Sequence, residues 1–246
     1  MEAKRLGILG GLGPMSTFYF CELLTAHTRA EKDCDHIDMI ISSCASTPDR
    51  TAFILGESDA DPLPAMLREA HRLESAGADL IVIPCNTAHY FYDGLTRECR
   101  TPILNIIRET VDELYTAGVR RIGLLATAGT VRSGAYRRVC DEYGMDCLIP
   151  DEEQQAVITS LIYDRIKQNK SVDLQAFLRV AEALRDRGCE KLVLGCTELS
   201  LLKKQGLDER VFVDSLEILA KKTILSCGKE PIGFGSSSLF REGVQR

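Results

Sequence analysis

Leu80-Ile81-Val82-Ile83-Pro84-Cys85-Asn86-Thr87-Ala88-His89 passes from four apolar, β-favouring residues through a proline into a cysteine and then small polar residues. An apolar run of that length bounded by a breaker reads as a buried strand, and the cysteine with its small polar neighbours reads as the start of a helix. The second half of the chain repeats the pattern in Leu192-Val193-Leu194-Gly195-Cys196-Thr197-Glu198-Leu199. Each segment sets a cysteine at the C-terminal end of a strand, the edge where open α/β sheets place their sites.

The flanks repeat as well. Residues 72–79 and 184–191 lead into the two cysteines as a helix end, a glycine stop and a strand, and Cys85 and Cys196 are 111 positions apart. Arg5-Leu6-Gly7-Ile8-Leu9-Gly10 matches Arg121-Ile122-Gly123-Leu124-Leu125-Ala126 at an offset of 116, and Ile103 matches Phe212 at 109. Three blocks in one order at nearly one offset indicate a duplicated unit with a period too long for a solenoid. The first unit reads as strand 6–9, helix 15–27, strand 39–42, helix 62–75, strand 80–83, helix 87–98 and strand 103–106. The second reads as strand 122–125, helix 131–143, strand 147–149, helices 152–169 and 174–187, strand 192–194, short helix 197–203 and strand 211–213.

Such alternation calls for an α/β fold of two pseudo-symmetric domains, each a mostly parallel four-stranded sheet flanked by helices, with an active site in the cleft between them. A last helix over 215–225 is expected to cross back onto the first domain. The division is then 1–106 with 214–246 as a discontinuous first domain and 107–213 as the second. The Gly- and Ser-rich segment 228–246 reads as a loose tail or a partner contact.

With 246 residues, 45% hydrophobic and 27% charged, the chain has the composition of a globular protein. No apolar run approaches the ~18 residues that span a bilayer, and no signal-like stretch precedes the first strand, so a cytoplasmic protein without a membrane partner is expected. Net charge is −6 and no basic run occurs, which argues against nucleic acid. Ten cysteines include no Cys-x-x-Cys pair, so neither a metal site nor a disulfide framework is expected. Most, such as Cys140, Cys189 and Cys227, read as small buried hydrophobes. Gly-Gly-Leu-Gly-Pro-Met-Ser at 10–16 comes after a strand like a nucleotide loop, but Ser16 replaces the third glycine and Pro14 stiffens the turn.

A cysteine at a helix start has its thiol pKa lowered by the free N–H groups and the helix dipole. Two of them facing one another across a cleft suit inversion at a carbon, one removing a proton from one face while the other delivers a proton to the opposite face. The developing carbanion needs nearby donors. Asn86, Thr87, Thr197 and the Thr127-Ala128-Gly129-Thr130 turn offer them, although Asn86, Thr87 and Thr197 also read as helix caps. His89 and Glu198 read either as surface or interface residues, Glu198 then a favourable charge in a first helical turn, or as partners that orient the neighbouring thiols.

These motifs resemble the aspartate/glutamate racemase family, in its cofactor-independent aspartate racemase branch. Pro84-Cys85-Asn86-Thr87-Ala88-His89 and Gly195-Cys196-Thr197-Glu198 look like its two catalytic-cysteine motifs, Ile8-Leu9-Gly10-Gly11-Leu12-Gly13-Pro14 like its N-terminal loop, and Pro48-Asp49-Arg50-Thr51-Ala52-Phe53-Ile54-Leu55-Gly56 like a substrate-loop signature. The resemblance implies Cys85 and Cys196 as the acid/base pair, Asn86, Thr87, Thr127 and Thr197 as contacts to the α-substituents, and Arg50 with Lys167 as the cations that bind a side-chain carboxylate. Gly11, Thr130, His89 and Glu198 are supporting candidates. Gly10-Gly11 stands where glutamate racemases carry an Asp-Ser pair, which favours aspartate. The implied protein is a PLP-independent aspartate racemase with activity extending to glutamate, with no cofactor and a homodimeric state. The alternatives are a non-catalytic amino-acid-binding protein and a racemase or isomerase of another small carboxylic acid.

Overall fold

In the computed structural model, which describes residues 4–234, strand β1 (Leu6–Gly10) is the centre of a sheet ordered β2-β1-β3, with β2 (Met39–Ser43) and β3 (Leu80–Val82) both parallel to it. β4 (Arg121–Leu125) is the corresponding strand of a second parallel sheet ordered β5-β4-β6-β7, built with β5 (Asp146–Leu148), β6 (Lys191–Leu194) and β7 (Phe212–Asp214). The repeat seen in the sequence is thus a repeat of strand order. Every residue of β1 and β3 is buried, because helices cover both faces of a parallel sheet and leave no side for water.

The helices in chain order are α1 (Pro14–His27), α2 (Arg50–Leu55), α3 (Leu63–Ser75), α4 (Tyr92–Glu98), α5 (Ile106–Thr116), α6 (Ala128–Ser133), α7 (Ala135–Glu142), α8 (Glu152–Ser160), α9 (Leu174–Asp186) and α10 (Ser215–Ser226). Several departures from the expected elements matter to the site. The first sheet has three strands rather than four. Ile103 makes only an isolated parallel bridge to Ile81, because Asn105 Oδ1 accepts from the N–H groups of Ile107 and Arg108 and starts α5 one residue later. α5 fills a span for which no element was expected. The expected helix 131–143 breaks at Gly134, whose φ of +66° is left-handed, into α6 and α7. The expected helix 152–169 gives way after α8 to a π turn (Leu161–Arg165) and a 3₁₀ turn (Ile166–Gln168) ending at Asn169 with φ 53°. The segments after both cysteines are 3₁₀ turns, Thr87–Phe91 and Leu199–Gln205.

One apolar cluster runs from β1 and α1 through α5 and α10 to β4 and α7, so the two sheets share a core. α10 packs against α1 and α5, and Lys222 sits within 3.2 Å of Glu113 and 3.7 Å of Glu109 on α5. The beginning of the expected loose tail is pinned. Thr28 bridges Pro231 in antiparallel fashion, Ile232 N–H donates to His27 O at 2.8 Å, and Phe234 stacks on the His27 ring. The rest of that tail lies outside the described residues.

Candidate active site

At the C-terminal ends of β3, β4 and β6 the loops of the two halves meet around a narrow cavity. The first half supplies Leu12 from the β1–α1 loop, Asp49, Arg50 and Thr51 from the start of α2, and Cys85, Asn86 and Thr87 after β3. The second half supplies Thr127 after β4, Tyr163 and Lys167 from the π and 3₁₀ turns, and Cys196, Thr197 and Glu198 after β6. All eight residues that the sequence assigned to catalysis and substrate line this one cavity, together with Glu198. The halves approach closely because position 129 has no side chain: a Cβ on Gly129 would lie 2.8 Å from Thr51 Cα.

Both thiols are buried, and both titrate above the ordinary thiol value, contrary to the lowering expected of a helix N-terminus. Burial is the largest cause in each case. Short 3₁₀ turns supply little dipole against it. The surroundings of the two thiols differ. At Cys85 the Arg50 guanidinium pulls the value back down, with Glu198 and Lys167 acting more weakly and in opposite senses. Cys196 is pushed well above the ordinary value by burial and then by Glu198, whose Oε2 accepts the thiol hydrogen at 3.0 Å.

His89 and Glu198 are both buried, so neither is the surface residue that one reading allowed. His89 Nδ1 lies 2.9 Å from Cys85 O, and its Nε2 lies 3.3 Å from Ile106 N–H and 3.4 Å from Leu104 O. Burial lowers its pKa and keeps the ring uncharged. His89 therefore braces the backbone of the Cys85 loop against the start of α5.

Arg50 is 8% exposed, and among the described residues its guanidinium is held by carbonyls rather than by a carboxylate. Nη1 donates to Thr47 O and Pro48 O, Nη2 donates to Leu12 O at 3.0 Å, and Nε is buried without a partner. A buried cation held only by carbonyls is a site for an anion. Lys167 lies with Nζ 4.0 Å above the Tyr163 ring. Burial works against its charge, but Glu198, Tyr163 and Cys196 outweigh it and hold the ammonium above its ordinary pKa.

Thr87 Oγ1 is 2.9 Å from both Thr127 Oγ1 and Thr130 Oγ1, which are 3.0 Å from one another. Three hydroxyls close such a ring with each donating once and accepting once. The ring stitches the two halves together and includes Thr130. Asn86 and Thr197 do not act as caps. The Asn86 amide donates to Ser215 Oγ at 3.0 Å and accepts from Tyr136 OH at 2.7 Å, while among the described residues Thr197 Oγ1 is buried without a partner. Gly11 stands beside the cavity at φ +84°, where a Cβ would meet the Cys44 backbone at 2.5 Å; its N–H donates to Thr17 Oγ1.

Sequence reading missed Asp49, Thr51, Tyr163, Tyr136 and Ser215. Tyr163 precedes Lys167 by four residues, the spacing of one helix face, which was a usable signal. Tyr136 and Ser215 act through Asn86 from 50 and 129 positions away, and no local pattern announces them.

The description of the Asp/Glu/Hydantoin racemase family matches residues 9–223. The chain belongs to that family. It is 31% identical over 226 residues, covering 89% of this chain and 96% of the relative, to the broad specificity amino-acid racemase RacX of Bacillus subtilis (strain 168). Among solved structures it is similar to the aspartate racemase of Picrophilus torridus, at 31% identity and a TM-score of 0.79 over 93% of this chain and 96% of that one. An aspartate racemase homologue from Pyrococcus horikoshii OT3 matches at 28% identity and 0.74 over 92% and 99%. The two-sheet α/β architecture is the fold of these racemases, and the protein is an isomerase of the Asp/Glu racemase type.

Proposed function

We propose that the protein interconverts L- and D-aspartate, and glutamate more slowly, without PLP, using Cys85 and Cys196 as acid and base on opposite faces of Cα. The observation that carries this reading is a single buried cavity holding both thiols together with a guanidinium whose Nε has no partner. Arg50 offers Nε–H and its remaining Nη2 hydrogen as a fork to the distal carboxylate, with Lys167 as the second cation. The α-carboxylate then falls among Thr87, Thr127, Thr197 and Asn86. It draws a hydroxyl out of the threonine ring, and Thr197 Oγ1 gains the partner it lacks.

The surroundings favour one direction of proton transfer: burial holds both thiols above the ordinary value, but the Arg50 cation makes Cys85 the easier of the two to ionise and so the base, while Cys196, hydrogen-bonded to Glu198, keeps its proton as the acid. Cys85 takes the Cα proton from one face, and Cys196 gives its proton to the other. Turnover leaves the pair inverted and ready for the opposite enantiomer. The carbanion forms in a dry site where fixed donors act at full strength. The name of the Bacillus subtilis relative supports a distal pocket tolerant of more than one side chain. A cytoplasmic homodimer and a division of the chain into 1–106 with 214–246 and 107–213 belong to the same proposal; among the described residues no helix is long and apolar enough to cross a membrane.

The test is incubation with L-aspartate, L-glutamate and neutral amino acids in deuterated water without added cofactor. Loss of optical rotation with α-deuterium incorporation, fastest for aspartate, is the expected result. Binding of aspartate with no exchange would replace this reading by that of a non-catalytic amino-acid-binding protein.

A further inference from the structure

At the end of β3 opposite Cys85, side chains of three different chemistries converge. His71 and Glu74 are one turn apart near the end of α3, and Cys99 caps the C-terminus of α4. One ligand atom from each, an imidazole nitrogen, a carboxylate oxygen and Sγ, all lie within 4.8 Å of one another. We propose that His71, Glu74 and Cys99 bind a thiophilic divalent transition-metal ion, zinc foremost, with solvent as the fourth ligand, as a structural clip separate from the racemase cavity.

The donor set suits such an ion: imidazole, carboxylate and thiolate in three protein positions, with one left open. Glu74 is already oriented, since Oε1 accepts from the N–H groups of Arg100 and Thr101 at 2.6 and 2.7 Å, while Oε2 faces His71 Nε2 at 4.0 Å. Outer hydrogen bonds of this kind fix metal-ligating carboxylates. Burial opposes the Glu74 charge, but these bonds outweigh it and hold the carboxyl below its ordinary value. Cys99 is 9% exposed, and burial together with Glu74 pushes its thiol up to about 11, so an ion must displace a proton there. Tetrahedral bonds of about 2.0–2.3 Å set donors roughly 3.3–3.8 Å apart, so the trio closes by about 1 Å. His71 can supply that movement: its side chain is 51% exposed and makes a 3.3 Å contact to Glu98 O besides its approach to Glu74.

On binding, one metal–sulfur bond replaces the S–H bond, the proton leaves to solvent, and no electrons are transferred. The clip would tie the end of α3 to the turn that leads to Ile103 and its bridge to β3.

The experiment uses the full chain with Cys85→Ser and Cys196→Ser, so that the racemase thiols cannot supply ligands, and adds cobalt(II) and zinc(II) in separate titrations. Expected are one ion per chain, a thiolate-to-cobalt charge-transfer band, and release of one proton per zinc in calorimetry repeated in buffers of different ionisation enthalpy. His71 is exposed, so His71→Ala in the same background leaves the core intact, and loss of a direct ligand should lower zinc affinity by more than the ~10–100-fold that loss of an outer partner costs. Absence of the charge-transfer band, or affinity unchanged in both His71→Ala and Cys99→Ser, would overturn the site. Neither outcome touches the racemase reading, which stands or falls on exchange at Cα.

Discussion

Replacing Arg50 separates recognition of a distal carboxylate from bracing of the loop in which it sits. Two hydrogens of its guanidinium remain free for a ligand, on Nε and Nη2. A hydrogen bond to a charged group is worth about 1.5–3 kcal/mol, so Arg50→Met forfeits roughly 3–6 kcal/mol of binding to a dicarboxylic substrate. At 1.4 kcal/mol per factor of ten, kcat/KM for aspartate should fall by about 10² to 10⁴. Arg50 also lowers the Cys85 pKa, so Arg50→Met should move the acidic limb of the pH–rate profile to higher pH, whereas Arg50→Lys keeps the charge and most of that limb but loses the fork. The assay compares aspartate with alanine, which has no distal carboxylate. If Arg50 only holds the carbonyls of Leu12, Thr47 and Pro48, both substrates lose rate by the same factor, and that result would refute the assignment.

Cys85→Ser and Cys196→Ser should each lower racemisation by about 10²–10⁴-fold or more, measured polarimetrically, because a serine hydroxyl is too weak an acid to replace either group. Asp214 is buried, among the described residues its Oδ2 has no partner, and burial, then Glu217, raises its carboxyl to about 7. A raised folded-state value means that its stabilisation is complete below the unfolded value near 3.8 and is lost as pH rises through 7. Asp214→Asn retains an acceptor for Leu216 N–H, so melting curves should show it gaining a few kcal/mol, roughly, over wild type at pH 8 and nothing at pH 4. His89 acts with the opposite sign: its depressed value gives stability that is present above the ordinary 6.5 and lost as pH falls below it, and His89→Gln should flatten that acid limb in the same melts. Gly129→Ala should force α6 away from Thr51 and lower kcat/KM with little change in far-ultraviolet circular dichroism; unchanged kinetics would mean that the contact does not set the cavity.

The strands were legible because a strand buried on both faces is written as an unbroken apolar run, as in 80–83 and 192–194. The cysteines were legible because those runs end at them. α2 escaped because six residues are too few to show a helical period, and α5 because its start is set by the Asn105 cap where a strand was expected to continue. The thiol shifts run opposite to expectation for a reason that no local pattern contains. A helix start is visible in sequence, but the desolvation that overrides it arises only when α2 and the 161–168 turns close over the cleft. Arg50 illustrates the same divide. Resemblance pointed to it, yet its lack of a carboxylate partner, which makes the assignment physical, is a property of packing.

The duplication accounts for where the two cysteines sit but not for their use. An inversion cannot proceed from two identically charged groups: one must be able to accept a proton while the other can give one. The scaffold repeats β3-Cys85 as β6-Cys196, whereas the residues just beyond have diverged. Four positions after Cys85 a neutral histidine grips the Cys85 carbonyl and leaves the thiol to the field of Arg50. Two positions after Cys196 a buried carboxylate takes the thiol hydrogen directly. If that difference sets the resting protonation, Glu198→Gln should lower the Cys196 pKa toward that of Cys85 and let an electrophile such as iodoacetamide label both thiols at similar rates. In the wild type, Cys85 should react first. Equal labelling of the two thiols in wild type would show that the asymmetry in charge around them does not reach their chemistry.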